Sequence, residues 1–470
     1  MKIVCLRLAS LSVALLAAGC AVGPDYVRPS MPVPAGFKED PNWKPAEPSD
    51  GRIPATWWKT FGDADLDALT EQVAMANQDV RVAEATYRES VALAQQAFAA
   101  LFPVLNLNGS ITRSQGASGA TAARSARPAT FDTVTAGTSW ELDLWGGLRR
   151  SLEQVQASAR ASAGDLAATT LSLQGQLVSD YLSLRVADEQ RRLLDDAVQA
   201  FEKSLELTES RYRAGVAARS DVTQAQAQLE ATRAQSIDVQ VSRAQLEHAI
   251  AVLVGKAPAD FSIAQRPYQL QFPPVPPLLP AALLERRPDV AAAERRVAAA
   301  NAQIGVATAA FFPTVTLNAN GGFSAPSSAS LFSVPARVWS VGPTMAEKLF
   351  DFGARSAARD QAVAGWDAAS ATYRKTVLTA FQNVEDSLAS LRILAQEAVV
   401  EAAAVKAAQE SLALTISQYK GGTVSYLNVI TAQTTELTSR ESALAIDGRR
   451  AAATVQLMQA LGGGWEMSQN

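Results

Sequence analysis

A single histidine, His248, and two cysteines, Cys5 and Cys20, are all that this chain of 470 residues has of those types, so the usual catalytic and metal-binding side chains are nearly missing. A histidine base and multi-histidine metal ligation both need partners at fixed geometry, and one imidazole cannot supply them. His248 falls in a helical stretch and reads as a surface residue. Cys5 lies in an N-terminal export signal and Cys20 at its end, so the mature chain keeps no thiol for a disulfide, a nucleophile or a metal site. No G-x-x-x-x-G-K-[ST] loop occurs, and Gly462-Gly463-Gly464 lacks the strand and helix that a phosphate cradle requires. No enzymatic activity, metal or cofactor is therefore expected. With 42 basic against 46 acidic residues, the balance is mildly acidic and argues against a nucleic-acid partner. Beyond the N-terminus no apolar run reaches the roughly 18 residues of a spanning helix, which excludes an inner-membrane pump. Any crossing of a membrane must be made by strands of a closed barrel.

What is present begins with that signal. Lys2 and Arg7 precede an apolar run from Leu8 to Ala18, closed by Leu16-Ala17-Ala18-Gly19-Cys20. Small residues before the cysteine fit a peptidase that leaves Cys20 as an acylated first residue, carrying palmitate. Acyl chains hold a protein to one leaflet and span nothing. The alternative is an ordinary signal peptide that happens to contain a cysteine.

The chain repeats itself. Ala99-Ala100-Leu101-Phe102-Pro103 returns as Ala309-Ala310-Phe311-Phe312-Pro313, and Asn77-Gln78-Asp79-Val80 matches Arg287-Pro288-Asp289-Val290, both at an offset of 210 (313 − 103 and 289 − 79). Further on, Leu184-Arg185 pairs with Leu391-Arg392, Tyr212 with Tyr419, Gly215 with Gly422 and Ala225-Gln226 with Ala432-Gln433, at an offset of 207. The expected organisation is a signal at 1–19, an anchored extended segment at 20–60, a first repeat at 61–255, a Pro-rich linker at 256–280, a second repeat at 281–461 and a tail at 462–470.

Each repeat reads as helix, two strands, long helix, turn, helix. In the first long helix a mainly apolar series from Leu152 to Tyr212, through Leu166, Leu173, Tyr181, Leu194 and Phe201, takes 17 steps over 60 residues, a mean of 3.53. A period near 3.5 specifies a left-handed supercoil, and a helix of that length reaches about 90 Å. A helical rod would satisfy this pattern alone. The strands alter the balance: Leu105, Leu107 and Ile111 alternate with Asn106, Asn108, Ser110 and Thr112, and Val134, Ala136, Trp140, Leu142 and Leu144 with Thr133, Thr135, Ser139, Glu141 and Asp143. The second copy does the same with Val315, Leu317, Ala319 and Phe323, then with Trp339, Val341 and Met345. Segments of about ten residues with one apolar face suit tilted membrane strands. Four strands cannot close a barrel, so copies must combine. A dimer would give a plugged eight-stranded barrel, and a trimer a conducting one of twelve.

On these residues the chain resembles the TolC-like outer membrane factors, in the lipoprotein branch that serves resistance-nodulation-division efflux pumps. The matching stretches are Gly19-Cys20-Ala21-Val22-Gly23-Pro24-Asp25-Tyr26, WKTFGDADLDAL at 58–69, SWELDLWGGL at 139–148, LPAALLERRPDVAAAE at 279–294, LFDFG at 349–353 and ALGGGW at 460–465. The resemblance covers essentially the whole mature chain. It implies a mainly α protein with a membrane β-barrel portion, a homotrimer whose 12-stranded barrel sits in outer-membrane lipid above a 12-helix tunnel. It also implies a periplasmic adaptor (membrane fusion) protein and an inner-membrane pump as partners, and passive conduction of small molecules as the function.

The same resemblance places the periplasmic entrance at the turns 212–222 and 419–429. There Tyr212 and Tyr419 match each other, Asp221 matches an acidic constriction position, and Asn428 and Thr431 stand where several relatives carry acids. Val424 replaces a basic residue that pairs with one of them, a departure that puts a charged latch in doubt. Asp221 also reads as the N-cap of the helix that opens after Gly215, and the two roles can coexist. The rival classes are a lipid-anchored periplasmic helical scaffold and the exit duct of a protein-secretion system.

Overall fold

The computed structural model describes residues 21–31, 36–39, 56–115, 128–268 and 286–464. The expected signal with Cys20, much of the expected anchored segment, much of the loop between the first two strands, residues 269–280 of the expected linker and the last residues of the expected tail lie outside them.

Among the described residues the order is α1 (Ala64–Ala76), α2 (Gln78–Ala99), β1 (Val104–Ser114), β2 (Ala129–Leu142), α3 (Gly147–Arg213), α4 (Arg219–Leu253), α5 (Pro288–Ala309), β3 (Thr314–Ala325), β4 (Arg337–Ala346), α6 (Ala354–Lys420) and α7 (Tyr426–Ala460). The protein is mainly α with one four-stranded sheet, as expected. The repeat holds to the residue: α2 and α5 each have 22 residues, α3 and α6 each 67, and α4 and α7 each 35.

Local signals explain the boundaries. Asp63 accepts from the N–H groups of Asp65 and Leu66 and opens α1, with Asp65 and Asp67 in the first turn, where the helix dipole favours acids. Asn77 breaks that helix in an extended conformation, and its side-chain oxygen takes the N–H groups of Asp79 and Val80 at the start of α2. Its amide donates to the Leu253 carbonyl. Where the second copy has Arg287, α5 starts on Pro288, whose missing N–H is no loss in a first turn. Pro103 and Pro313 follow the ends of α2 and α5, and each strand begins at the next residue. Between α3 and α4 the chain turns through Gly215 at φ 76°, with Val216 N–H donating to the Arg211 carbonyl. Gly422 at φ 78° and the Thr423 to Gln418 bond repeat this between α6 and α7. Only glycine adopts such a φ at little cost.

The contacts divide the chain into two units. The first comprises Met1–Ser30, Thr86–Ala163 and Ala292–Tyr373, and it holds the whole sheet. Small residues let its helices approach closely: Ala157, Ala298 and Ala299 pack together against Tyr26, and Ile304 and Ala307 pack with Ala362 beside Trp366. The segment from Ala21 is fixed to this unit at each residue of Gly23-Pro24-Asp25-Tyr26. A Cβ on Gly23 would lie 2.5 Å from the Gly305 Cα, Asn301 donates to the Pro24 carbonyl at 2.9 Å, Arg150 pairs with Asp25 at 2.7 Å, and the Tyr26 hydroxyl donates to Glu294 at 3.1 Å.

The second unit comprises Met31–Ala85, Gly164–Ala291 and Arg374–Asn470. In it Leu193, Leu194, Ala197 and Phe201 of α3 bury themselves with Leu229 of α4 and Leu437 of α7. Full burial of each of these Leu and Phe side chains stabilises by about 1.5–3 kcal/mol. The anticipated α3 stripe is buried at Leu177, Tyr181, Leu184, Ala187, Leu194 and Phe201. It ends before Tyr212, which is exposed.

Candidate functional site

The four-stranded sheet is the first part of the site. The sheet runs β1-β2-β3-β4, all antiparallel, with β1 and β4 at its edges. Residues directly opposite across an antiparallel pair share a face. The register aligns Leu107 with Ala136, Trp140 with Leu317, Ala136 with Gly321, Ala319 with Val341 and Val315 with Met345. Every apolar series of the four strands therefore falls on one face. The opposite face collects Asn106, Asn108, Thr133, Thr135, Ser139, Thr316, Asn318, Asn320, Ser340 and Thr344, tied by bonds such as Thr133–Ser324 at 3.1 Å and Ser340 to Asn320 at 3.1 Å. Its one ionisable side chain is Glu141, opposite Thr316.

The apolar face has no protein cover at its edges: Leu105, Leu107 and Ile111 are 76%, 78% and 79% exposed, and Trp339, Val341 and Met345 are 78%, 64% and 69%. So much contiguous apolar surface in water would be unfavourable by about 25 cal/mol per Å², and it calls for an apolar medium. Leu144, expected to extend this face, lies past the end of β2 in the bend leading to α3. There Asp143 accepts from the N–H groups of Leu148 and Arg149, both at 3.0 Å, which turns the chain out of the strand and into the helix. No described helix is long and apolar enough to cross a membrane.

The two tips form the second part. Asp221 is half-buried at the third position of α4, and the N-cap is Ala218, which makes no side-chain capping bond. The capping role expected for Asp221 is thereby corrected: the helix starts upstream, at Arg219, and the carboxylate acts on the first turn only through the helix dipole. Asn428 holds the equivalent third position in α7 behind Ser425, and both it and Thr431 are exposed. With Ser411, Thr415 and Thr435 they line a groove of about 280 Å³ that has no charged side chain.

Tyr212 and Tyr419 match in sequence and differ in place. Tyr212 is exposed, whereas Tyr419 is buried in a core with Tyr426, Ala225 and Val429, against which Val424 packs. The Arg211 guanidinium lies 4.7 Å over the Tyr419 ring and donates to the Tyr419 carbonyl at 2.9 Å, so the cation sits at a helix C-terminus where carbonyls need donors. Burial first, then Tyr419 and Asp221, push the Tyr426 phenol up to about 12, so it remains neutral at physiological pH.

A third feature has no counterpart among the expected site residues. Arg185, 1% exposed, donates to Asp188, to the Tyr181 hydroxyl and to the Ala264 carbonyl. Asp188 also receives Arg243 at 2.7 Å, and Tyr181 donates to Asp63 at 2.6 Å, where Arg266 pairs too. Burial raises the Asp63 carboxyl, but bonds from Tyr181 and Arg266 outweigh it and leave the pKa below the usual range. The cluster fastens residues 263–268 across α3, α4 and the start of α1. Its one sequence signal was an Arg185 and Asp188 pair, three apart on an otherwise buried stripe.

A sequence model of the family described as outer membrane efflux protein matches the chain twice, over residues 69–256 and 279–463. The chain belongs to the outer membrane efflux protein family. It is 33% identical to the pyoverdine export outer membrane protein OpmQ of Pseudomonas aeruginosa, an alignment that covers 98% of this chain and 97% of that one. It is 32% identical to the probable efflux pump outer membrane protein TtgC of Pseudomonas putida, over 96% of this chain and 94% of that one. Its fold superposes on the solved outer-membrane channel OprN with a TM-score of 0.90 at 32% identity, covering 95% of this chain and 100% of that one. The two family matches coincide with the internal repeat, and the chain is an outer-membrane efflux channel. The family is one of transport channels. His248, exposed on α4, is a surface residue as expected.

Proposed function

We propose that three copies of this chain, each anchored through lipid on Cys20, close a 12-stranded barrel and carry solute passively from a periplasmic adaptor and an inner-membrane pump to the cell exterior. One observation carries the reading: a sheet with one apolar face, one polar face and two open edges is a segment of a larger barrel. Long unpaired edges invite association, and in lipid they must be paired. With the polar faces turned inward, the lumen is neutral apart from one Glu141 per copy. The long helices prolong the conduit, since 67 residues reach about 100 Å.

The lipid anchor draws support from the placement of Ala21 and Val22. A Cβ on Gly146 would meet Ala21 at 2.7 Å, and the Val22 N–H donates to the Trp145 carbonyl at 3.0 Å, so the residue after Cys20 lies at the junction of β2 and α3. That junction is the periplasmic boundary of a barrel whose helices hang below it, the level at which an acyl anchor inserts. Energy and selectivity then reside in the pump, and this chain needs no catalytic group.

Planar-bilayer recording of the extracted oligomer, together with metabolic fatty-acid labelling of wild type and Cys20→Ser, tests the proposal. Stepwise conductance and loss of label in the variant are expected. A silent oligomer would contradict the channel, and equal labelling the anchor.

A further inference from the structure

The few charges of the sheet are segregated. On the apolar face they are Arg113, Asp132 and Arg337, all toward the end where the hairpin loops lie and away from the four helix junctions. The sequence from Arg113 to Phe131 contains three arginines and no acid, and that from Pro326 to Arg337 contains Arg337 and no acid. The described rim at this end carries two arginines against one acid, in a chain of net charge −4. Asp132 is buried. Arg113 and Arg337 are exposed, and the side chain of neither makes a hydrogen bond or ion pair with another described residue.

The loop between β3 and β4 adds apolar surface to this rim. Leu331 and Ala336 fold back onto Ala325, Val134 and Phe323 on the apolar face, and the Phe332 ring meets that of Phe323 edge-on at 5.4 Å. Phe332 and Val334 are left 73% and 68% exposed in the loop that leads to Arg337. The β4 edge of one copy adjoins the β1 edge of the next in a closed barrel, and the two strands run in opposite directions, so Arg337 there comes beside Arg113 of the neighbouring copy.

We propose that this rim docks a phosphorylated glycolipid of the outer leaflet, of the lipid A type. Arg113 and Arg337 hold its phosphates, and Phe332 and Val334 lie among its acyl chains. Guanidinium groups match phosphate oxygens in paired hydrogen bonds, and aromatic and apolar side chains collect where headgroups meet hydrocarbon. The proposal rests on the reading of the sheet as part of an outer-membrane barrel.

The test uses the full-length oligomer, washed in detergent, with bisphosphorylated lipid A as the probe and bound lipid per chain read by mass. Wild type retains lipid A. R113Q/R337Q loses affinity about 25-fold, roughly fivefold for each arginine, and F332S causes a smaller loss. Equal retention by wild type and R113Q/R337Q would overturn the proposal, as would equal retention of lipid A stripped of its phosphates. Displacement by millimolar inorganic phosphate would assign the rim to free anions and also overturn it. Bilayer recordings of the same samples separate the two readings. A double variant that conducts as wild type does confirms its fold. A conducting wild type that retains no lipid A overturns this inference alone, whereas a silent one overturns the channel reading beneath it.

Discussion

The two repeats share a backbone and differ in what fastens it. In the first, Arg185 is sealed inside a network with Asp188, Arg243 and Tyr181 that straps residues 263–268 to the helices. In the second, the equivalent Arg392 is far more exposed and pairs with Glu39, whose N–H, like that of Lys38, donates to Glu385. Helix lengths, the glycine turns and the strand alternation are set by periodic, local chemistry and so recur in both copies. The straps are segments that occur once in the chain, so each copy carries the polar residues its own strap demands. The tips diverge likewise, with Ala218 and Asp221 in one copy and Ser425 and Asn428 in the other.

The largest effect should separate the two arginines. Arg185→Leu leaves Asp188 with Arg243 alone and takes the donor from the Ala264 carbonyl and the Tyr181 hydroxyl, and should cost about 1.5–3 kcal/mol. Arg392→Leu removes an exposed pair and should cost about 1 kcal/mol at most. Denaturant unfolding of the extracted protein measures both, and equal losses would erase the distinction between the copies. A second effect is acid sensitivity of the first strap. The Asp63 pKa is lower folded than unfolded, so its stabilising contribution is complete above about pH 4, the ordinary aspartate value, and is lost as pH falls through the folded value. Asp63→Asn should be less stable at neutral pH and flatter on the acid limb; unchanged curvature would show that the carboxylate contributes little. The smallest effect lies at the tips. Asp221→Asn removes a first-turn charge worth about 0.3–1 kcal/mol, and if three such charges ring the entrance it also reduces cation preference. Asn428→Asp should raise that preference. Reversal potentials in unequal salt would report both, and if neither variant shifts them the tips do not filter charge.

Sequence made the repeat and the strand faces legible because both are periodic, and because a face is decided residue by residue through alternation. It also marked the turns at Gly215 and Gly422, where φ leaves little choice. It misplaced the cap at Asp221 because the helix starts three residues earlier, behind Ala218, a residue whose side chain cannot cap and so does not mark the start. It also paired Tyr212 with Tyr419 as equals, although burial of Tyr419 comes from Tyr426 and Arg211, neither of which has a like residue in the other copy: Arg219 and Gln418 stand there. The strap escaped for the same reason, since Asp63, Arg266 and Arg185 are far apart in sequence and meet only in the folded chain.

Conduction by this chain depends on the sheet being a segment of a barrel that several copies complete. Light scattering of the mildly detergent-extracted protein, corrected for bound detergent, measures this most directly. A mass three times that of the single chain, with no folded species at one third of it, is the predicted result. A stable, folded monomer whose β1 and β4 edges remain open would contradict it.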